Sequence, residues 1–291
     1  MFKIVQFMII IFSLTAFGEE KVFNVMGTYL IVDTKRYNYE IYRYISYLDK
    51  ILSDYKDNSD ISKINSIAGR ECVEVSPETL EVIKQAIYVS ELTGGYFDIT
   101  VGSVTINYKR KNILPKETAF SLIDYRNIKI ESNRVCILKE GMAIDLGGIG
   151  KGYAVEKAYK KFKDRLPSGF IAIAGDLKVW GQKRRLGIYN PQTKGILAEV
   201  INKEDVCLST SGNYFQDHIL GRPTEILQIT VAYTDCGIAD AISTGIFSMD
   251  RESREKFLKD NQDFGVFILF KDGSIWFNSK FRIYFDIIFK N

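Results

Sequence analysis

The stretch DLGGIGKGYAVEKAYKKF, residues 145–162, constrains the fold most strongly because it joins a glycine-rich turn to an amphipathic helix. The preceding residues, MAIDL, are typical of a strand. The helix is expected to bury one apolar face, formed by Val155, Ala158, Tyr159, Phe162 and Leu166. A strand, a glycine turn and a helix N-terminus together favour an anion, because the free N–H groups and the helix dipole both attract phosphate.

This turn departs from the two common nucleotide-binding loops. Gly152 stands where a P-loop has Ser or Thr after its lysine, and Tyr153 stands where a dinucleotide-binding fingerprint has its third glycine. On spacing alone, a structural turn and a phosphate site are equally good interpretations. Asp145 argues for more than a turn, because a carboxylate beside a phosphate repels it unless a cation or another part of the ligand intervenes.

Asp240 and Thr244 form a second candidate group, in the segment IADAISTG. Residues four apart lie on one face of a helix, and a carboxylate and a hydroxyl so placed suit Mg²⁺, which prefers oxygen ligands. The alternative is a surface aspartate and a threonine whose hydroxyl bonds to its own helical turn. His218 is the only histidine, so any general-base role for an imidazole falls to it, although a lone histidine is more often structural.

Composition and element order set the fold class. Helical and strand patterns alternate along the 291 residues without strict βαβ order, which predicts a mixed α+β fold. With 46% hydrophobic residues, the chain can build one large core or two small ones. The net charge of +3 gives no reason to expect a nucleic-acid partner.

The N-terminal segment MFKIVQFMIIIFSLTAFGEE carries one lysine and then no charge until Glu19. Its apolar run is shorter than the roughly 20 residues of a membrane span. It is predicted to be a signal peptide over residues 1–18, cleaved after Gly18 and followed by a single domain over residues 19–291. A short membrane anchor is the alternative interpretation.

The four cysteines have no C-x-x-C spacing, so neither zinc nor thioredoxin-like chemistry is indicated. Export would permit disulfides, for which three full pairings exist. The stronger expectation is that at least some of these cysteines are buried as small apolar side chains. They are Cys72, Cys136, Cys207 and Cys236.

Local patterns predict several elements. Apolar residues from Ile41 to Tyr55 recur at helical spacing. The segment 76–95 is predicted to be a helix that Ser76 caps and Gly94 ends. FIAIAGDLKVWG and VFILFKDGSIWF are predicted hairpins, and FRIYFDIIF is predicted to be a closing strand.

Seven sequence blocks stand in the order of a known family. They are MGTY at 26–29, SDYKDNSDISKIN at 53–65, TGGYFDITVG at 93–102, DLGGIGKGYAVEKA at 145–158, AGDLKVWG at 174–181, STSGNYFQ at 209–216 and ADAISTGIF at 239–247. Together they resemble the ApbE family of flavin transferases (FAD:protein FMN transferases). The resemblance covers nearly the whole chain after residue 18.

The resemblance implies a two-lobed α/β assembly with mixed sheets, helices packed on them and FAD in the cleft between the lobes. It also implies Mg²⁺-dependent transfer of FMN from FAD to a Thr or Ser hydroxyl of an acceptor flavoprotein, with release of AMP. Acceptors of such enzymes are subunits of membrane redox complexes or exported electron-transfer proteins. The expected location is therefore the periplasm, in association with the inner membrane.

The same resemblance implies roles for individual residues. The expected FAD contacts are Met26, Tyr55, Tyr96, Phe97, Asp98, Asp145 and Lys151. The expected Mg²⁺ ligands are the main-chain carbonyl of Gly148 and the side chains of Asp240 and Thr244, with Ser243 close by. The catalytic residues implied are Asp240 and His218, the latter as the base for the acceptor hydroxyl.

Three positions depart from the family pattern, and two alternatives to FMN transfer stay open. Ala174 replaces a second glycine, Gly150 replaces a common alanine, and HILGRPTE after His218 is shorter than the Asp-Pro-x-Thr-Gly segment of the family. One alternative is a Mg²⁺-dependent FAD pyrophosphatase, in which water replaces the acceptor hydroxyl. The other is a non-enzymatic exported protein that binds FAD.

Overall fold

The computed structural model describes residues 20–213, 220 and 225–289. The predicted signal peptide, residues 1–18, lies outside them, so its cleavage stays a prediction. Over the part of the chain that the structure describes, no helix has both the length and the apolar character needed to cross a membrane.

The described residues contain fourteen strands and eight α-helices. The strands are β1 (Lys21–Val25), β2 (Thr28–Asp33), β3 (Cys72–Glu74), β4 (Ile128–Glu131), β5 (Arg134–Ile137), β6 (Gly169–Ile173), β7 (Asp176–Trp180), β8 (Arg185–Asn190), β9 (Gly195–Asn202), β10 (Val206–Ser211), β11 (Ile226–Tyr233), β12 (Gly265–Phe270), β13 (Ile275–Phe277) and β14 (Phe285–Phe289). The helices are α1 (Asn38–Leu52), α2 (Asp60–Ser66), α3 (Pro77–Leu92), α4 (Lys116–Ser121), α5 (Gly150–Phe162), α6 (Cys236–Ser248), α7 (Arg251–Asp260) and α8 (Ser279–Tyr284).

Eight strands form a central sheet in the order β1-β2-β6-β7-β10-β11-β12-β13. Two three-stranded sheets, β14-β9-β8 and β3-β5-β4, complete the described strands. The α+β class is confirmed, but the strand pairs described are all antiparallel, so the expectation of mixed sheets is corrected. Tight turns such as Met26–Gly27 and Ala174–Gly175 join several neighbouring strands, whereas parallel pairs need long crossovers.

The central sheet has a hydrophobic cluster on each face. In β6, Ile171 and Ile173 pack with helices α1, α3, α5 and α6, whereas Phe170 and Ala172 pack with β8, β9 and α8 on the other side. All five residues of β6 are buried, as expected for a strand covered on both faces. The helical layer over the first face carries the candidate site.

Most predicted helices and hairpins are confirmed. Helix α1 buries Ile41, Ile45, Leu48 and Leu52, but it ends before Tyr55. The Ser76 hydroxyl caps α3 by accepting from the Thr79 N–H. Both predicted hairpins are present, as β6–β7 and β12–β13.

Two strand predictions are wrong, one in part and one entirely. FRIYFDIIF contains helix α8 before β14, because the side chain of Asn278 accepts from the Phe281 N–H and starts a helical turn. MAIDL, residues 142–146, is not a strand. Its N–H groups bond instead to nearby loop and side-chain acceptors, namely Ala143 to Ser103, Ile144 to Asn65 and Asp145 to the Ile99 carbonyl.

All four cysteines are in disulfides, Cys72–Cys136 and Cys207–Cys236. The expectation that at least some are unpaired apolar side chains is therefore wrong. Cys72 and Cys136 face each other across β3 and β5, while Cys207 in β10 meets the first residue of α6. The bonded cysteines are 64 and 29 residues apart in the sequence. No local sequence pattern indicates which cysteines pair over such distances.

Candidate active site

Asp145 shapes the glycine turn that precedes α5. One carboxylate oxygen accepts from the Gly147 N–H at 2.8 Å, and the other accepts from the Thr105 hydroxyl at 2.6 Å. The turn closes where the Ile149 and Gly150 N–H groups both bond to the Leu146 carbonyl, at 3.1 and 2.7 Å. Asp145 is therefore fixed by its own loop and by the neighbouring π-helix, Ser103–Arg110.

Helix α5 packs closely against α6 at Gly152. A Cβ on Gly152 would lie 2.1 Å from the Cys236 carbonyl oxygen, so only glycine allows this approach. Its N–H donates to an Asp240 carboxylate oxygen at 3.0 Å. One turn earlier, a Cβ on Gly148 would lie 3.2 Å from the Thr244 hydroxyl oxygen. The structure thus brings together the segments of Gly148, Asp240 and Thr244, which the sequence proposed as Mg²⁺ ligands.

Lys151 lies between two buried carboxylates. Its Nζ is 3.1 Å from an Asp176 oxygen and 3.6 Å from an Asp240 oxygen, and it donates to the Gly147 carbonyl at 3.3 Å. Burial lowers the pKa of Lys151, but the attraction of Asp176 and Asp240 outweighs this and raises it above the ordinary value. Burial, and then repulsion from Asp176, raises the pKa of Asp240 to about 7. When both carboxylates are ionised, their charge exceeds that of the single ammonium, and a further cation would offset the excess.

A row of hydroxyls lines β10 and the facing side of α6. The Ser211 hydroxyl is 2.6 Å from that of Ser243 and 3.3 Å from that of Thr244. The Ser209 hydroxyl donates to Asp176 at 2.5 Å and lies 3.3 Å from Ser243. Ser243 also donates to the Asp240 carbonyl in its own helix at 2.9 Å.

Asp176, Ser209 and Ser211 are site residues that the sequence interpretation missed. Asp176 starts β7 and stands directly opposite Ser209 on β10. Ser209 and Ser211 alternate along one strand, so both point to the same face. The sequence offered two separate signals, the period of two in STSGNYFQ and the lone aspartate of AGDLKVWG, and their adjacency follows only from the strand pairing.

Met26 lies beside the start of α5, and Tyr55 stacks against the π-helix that also holds Asp145. A Cβ on Gly150 would lie 3.9 Å from the Met26 methyl carbon, so Met26 is close to the start of α5. Tyr55 is 78% exposed, and the Arg110 guanidinium stacks 4.0 Å from the centre of its ring. An exposed aromatic ring backed by a cation is a suitable platform for stacking a planar ring system. This environment is compatible with FAD contact at Tyr55, which stays a prediction.

Tyr96, Phe97 and Asp98 differ in their surroundings. The Phe97 ring lies 3.2 Å from the position of a Gly148 Cβ, which places it at the glycine turn. The Tyr96 hydroxyl donates to Asp250 at 2.6 Å. Asp98 is buried, and its oxygens accept from Thr100 and from the Tyr125 N–H. Asp98 therefore holds the chain that leads into the site, and its contact with FAD stays a prediction.

His218 lies outside the described residues, so its proposed role as a base stays a prediction.

The donor atoms around α6 are of the kind that the proposed Mg²⁺ site requires. Asp240, Ser243 and Thr244 offer only oxygen donors on one side of α6, and Gly148 adjoins Thr244. Oxygen donors and an excess of buried negative charge fit Mg²⁺.

Comparison with known proteins agrees with this architecture. Curated FAD:protein FMN transferases from Vibrio cholerae and Chlamydia pneumoniae are 27% and 26% identical; each alignment covers 80% of this chain, and 79% and 82% of those proteins. The solved ApbE protein from Thermotoga maritima is 27% identical with a TM-score of 0.80, over 91% of this chain and 98% of that one. The flavin transferase ApbE from Vibrio cholerae, at 24% identity and TM-score 0.81, shares the fold over 91% of this chain and 98% of that structure. Because residues 26–268 match the ApbE family model, the chain belongs to the ApbE family.

Proposed function

We propose that the protein transfers FMN from FAD to a Thr or Ser hydroxyl of an acceptor flavoprotein and releases AMP. The curated relatives that bear the name FAD:protein FMN transferase support this proposal. The junction of α5 and α6 carries it structurally. There the partly exposed Lys151 and the buried Asp176 and Asp240 form one charge cluster beside a glycine turn and a helix N-terminus.

The donor set fits Mg²⁺, which Asp240, Thr244 and the Gly148 carbonyl would hold, with Ser243 alongside. Bound there, the ion would neutralise charge on the diphosphate and on the AMP leaving group. The N-terminal end of α5 would add a favourable field for phosphate through the helix dipole, because an α-helix carries partial positive charge at its N-terminus. The Gly150 and Gly152 N–H groups themselves already bond to the Leu146 carbonyl and to Asp240.

The side chains of the chain itself have separate tasks in this proposal. Lys151 supplies positive charge to the diphosphate from a position fixed by Asp176 and Asp240. Asp145, held by Gly147 and Thr105, receives a polar group of FAD rather than a phosphate. The exposed ring of Tyr55 offers apolar surface to the flavin or the adenine, while the buried ring of Phe97 packs behind the glycine turn and Met26 lies near the start of α5.

Phosphoryl transfer needs alignment and charge neutralisation more than covalent help from the protein. The acceptor hydroxyl oxygen attacks the FMN phosphorus and forms the new phosphoester bond. The bond from that phosphorus to the AMP oxygen breaks, and the hydroxyl proton passes to a base. His218 is the candidate for that base.

The acceptor is proposed to be an exported electron-transfer protein or a subunit of a membrane redox complex. The predicted signal peptide over residues 1–18 supports a periplasmic location at the inner membrane. The two disulfides agree with an oxidising compartment.

Mass spectrometry of a candidate acceptor tests the proposal. The acceptor is incubated with the protein, FAD and Mg²⁺, and AMP is measured in the same sample. Transfer adds the mass of one FMN to the acceptor for each AMP released. Release of AMP with an unmodified acceptor would identify FAD hydrolysis instead.

Two variants make the experiment specific. Asp240→Asn keeps the shape of the side chain but removes its charge, so transfer should fall by at least about 100-fold. Lys129→Ala is the matched control, because Lys129 forms an exposed ion pair with Glu131 in the small β3-β5-β4 sheet. Equal rates for both variants would overturn the assignment of the reaction to the α5–α6 junction.

A further inference from the structure

The Cys207–Cys236 disulfide joins the two elements that carry the hydroxyl row of the site. Cys207 lies in β10, two and four residues before Ser209 and Ser211. Cys236 is the first residue of α6, which carries Asp240, Ser243 and Thr244 on the following turns. The cystine is buried, with both residues at most 1% exposed.

The start of α6 is held from several directions at this point. The Asp235 side chain caps the helix by accepting from the Gly237 and Ile238 N–H groups. The buried Glu156 of α5 accepts from the Cys236 N–H at 3.2 Å. The chain also connects α6 to β11 through only Thr234 and Asp235. The disulfide adds the covalent link to β10, the next strand of the sheet.

This link sets the position of α6 along β10. Residues 207, 209 and 211 share one face of the strand, while 236, 240, 243 and 244 follow one side of the helix. Because the disulfide fixes Cys207 against Cys236, it restricts where the later residues of β10 can meet the later residues of α6. Further along the same strand and helix, the Ser211 hydroxyl lies 2.6 Å from that of Ser243 and 3.3 Å from that of Thr244.

We propose that Cys207–Cys236 is a positioning disulfide. It fixes α6, with the proposed cation ligands Asp240 and Thr244, against β10 and the neighbouring Asp176, so that the ligands on α6 stand where the divalent cation binds. The inference rests on the proposed transferase function and assigns no chemical step to the sulfurs. Its consequence is that an oxidising compartment is needed for full metal affinity as well as for stability.

The chain offers a matched control in its other disulfide. Cys72–Cys136 joins β3 to β5 in the small three-stranded sheet. That sheet contributes none of the hydroxyl or carboxylate groups described at the α5–α6 junction. Removing this cross-link controls for the general effect of losing a disulfide. It closes the longer loop, 64 against 29 residues, so its loss should destabilise the fold at least as much.

Two double variants test the inference, Cys207→Ala/Cys236→Ala and Cys72→Ala/Cys136→Ala. The first readout is binding of Mn²⁺ alone, followed by the electron paramagnetic resonance signal of the free ion. The second is the Mg²⁺ concentration that gives half-maximal AMP release. In the Cys207/Cys236 variant, we expect the Mn²⁺ dissociation constant and the Mg²⁺ concentration for half-maximal AMP release each to rise by about 10-fold. Other groups that orient metal ligands have effects of this size. Saturating Mg²⁺ should restore most of its rate, and the Cys72/Cys136 variant should match the wild type.

Equal Mn²⁺ affinity in the two folded variants would overturn the positioning role. If the Cys207/Cys236 variant does not fold, the Cys72/Cys136 variant is treated with a dithiol. The dithiol gives up two electrons, becomes a disulfide itself and converts the remaining cystine to two thiols. Mn²⁺ affinity should then fall while near-ultraviolet circular dichroism reports a folded core; unchanged affinity after complete reduction would reject the inference.

Failure of the proposed function gives a different result. A wild type that binds Mn²⁺ but never releases AMP or modifies an acceptor would refute the transferase proposal alone. The comparison of Mn²⁺ affinities would still decide whether the disulfide positions the cation site.

Discussion

The backbone N–H of Gly152 donates to a carboxylate oxygen of Asp240 at 3.0 Å, across 88 residues of sequence. This bond brings the glycine turn of α5 to the helix that carries the proposed metal ligands. It requires the two helices to approach at Gly152, where any Cβ would meet the Cys236 carbonyl. The site therefore depends on a backbone contact as well as on charged side chains.

Gly152→Ala is expected to separate α5 from α6. The added methyl group would lie 2.1 Å from the Cys236 oxygen and 2.7 Å from the Asp240 Cβ. We expect a loss of about 2 kcal/mol in the free energy of unfolding, and loss of FMN transfer. Gly195→Ala is the control, because its nearest atom would be Thr193 Oγ1 at 3.6 Å. Transfer by Gly152→Ala at the wild-type rate would contradict the proposed geometry.

Lys151→Met should destabilise the metal-free protein at pH 8. It removes the ammonium between Asp176 and Asp240, both almost fully buried. Breaking such a buried arrangement typically lowers stability by about 3 to 5 kcal/mol. Lys157→Met, on the same helix, breaks a partly exposed pair with Glu81 and should change stability by about 1 kcal/mol or less. Urea unfolding of both variants without FAD or divalent metal measures the difference.

Asp240 should make the stability of the metal-free protein fall as the pH rises from about 4 to 7. Burial and repulsion from Asp176 raise its pKa from 3.8 to about 7, so the folded state binds its proton more tightly than the unfolded state. In that window the unfolded state carries fewer protons, and the contribution of Asp240 weakens by up to about 1.4 kcal/mol per pH unit. Above about pH 7 the contribution levels off. Unfolding of the wild type and Asp240→Asn in a chelator should give curves that diverge over this range; parallel curves would contradict the raised pKa.

Sequence patterns predicted the elements whose signals are local. The cap and first turn of α3 at Ser76–Pro77, the helical spacing of α1 and the two hairpins need only neighbouring residues to specify them. The juxtaposition of the Gly148 turn with Thr244 was inferred through the family resemblance, because no local signal joins segments so far apart.

The features that the sequence patterns did not predict depend on long-range packing. Asp176 has no distinctive local motif, and its place in the site follows from the pairing of β7 with β10. The disulfides depend on the register of β3 with β5 and on the packing of α6 against β10. MAIDL has the composition of a strand, but its N–H groups find acceptors in Ser103, Asn65 and Ile99 instead of a partner strand.

His218→Ala is expected to slow transfer more than it weakens FAD binding. Removal of the imidazole takes away the only histidine available to accept the proton of the acceptor hydroxyl. The rate of FMN transfer at saturating FAD should fall by about 100-fold or more, while FAD affinity, measured by flavin fluorescence, stays within a few fold. A transfer rate equal to that of the wild type would reject the role of base.

Removal of each disulfide should change stability and metal binding differently. Loop-closure entropy predicts losses of about 3.6 kcal/mol for Cys207–Cys236 and about 4.3 kcal/mol for Cys72–Cys136, from loops of 29 and 64 residues. Urea unfolding of the two double alanine variants measures these values. The variant that loses more stability should be the one that keeps its Mn²⁺ affinity, because Cys72–Cys136 lies in the small β3-β5-β4 sheet. If metal affinity instead falls in proportion to stability in both variants, general loosening of the fold, rather than the spacing of β10 and α6, explains the effect.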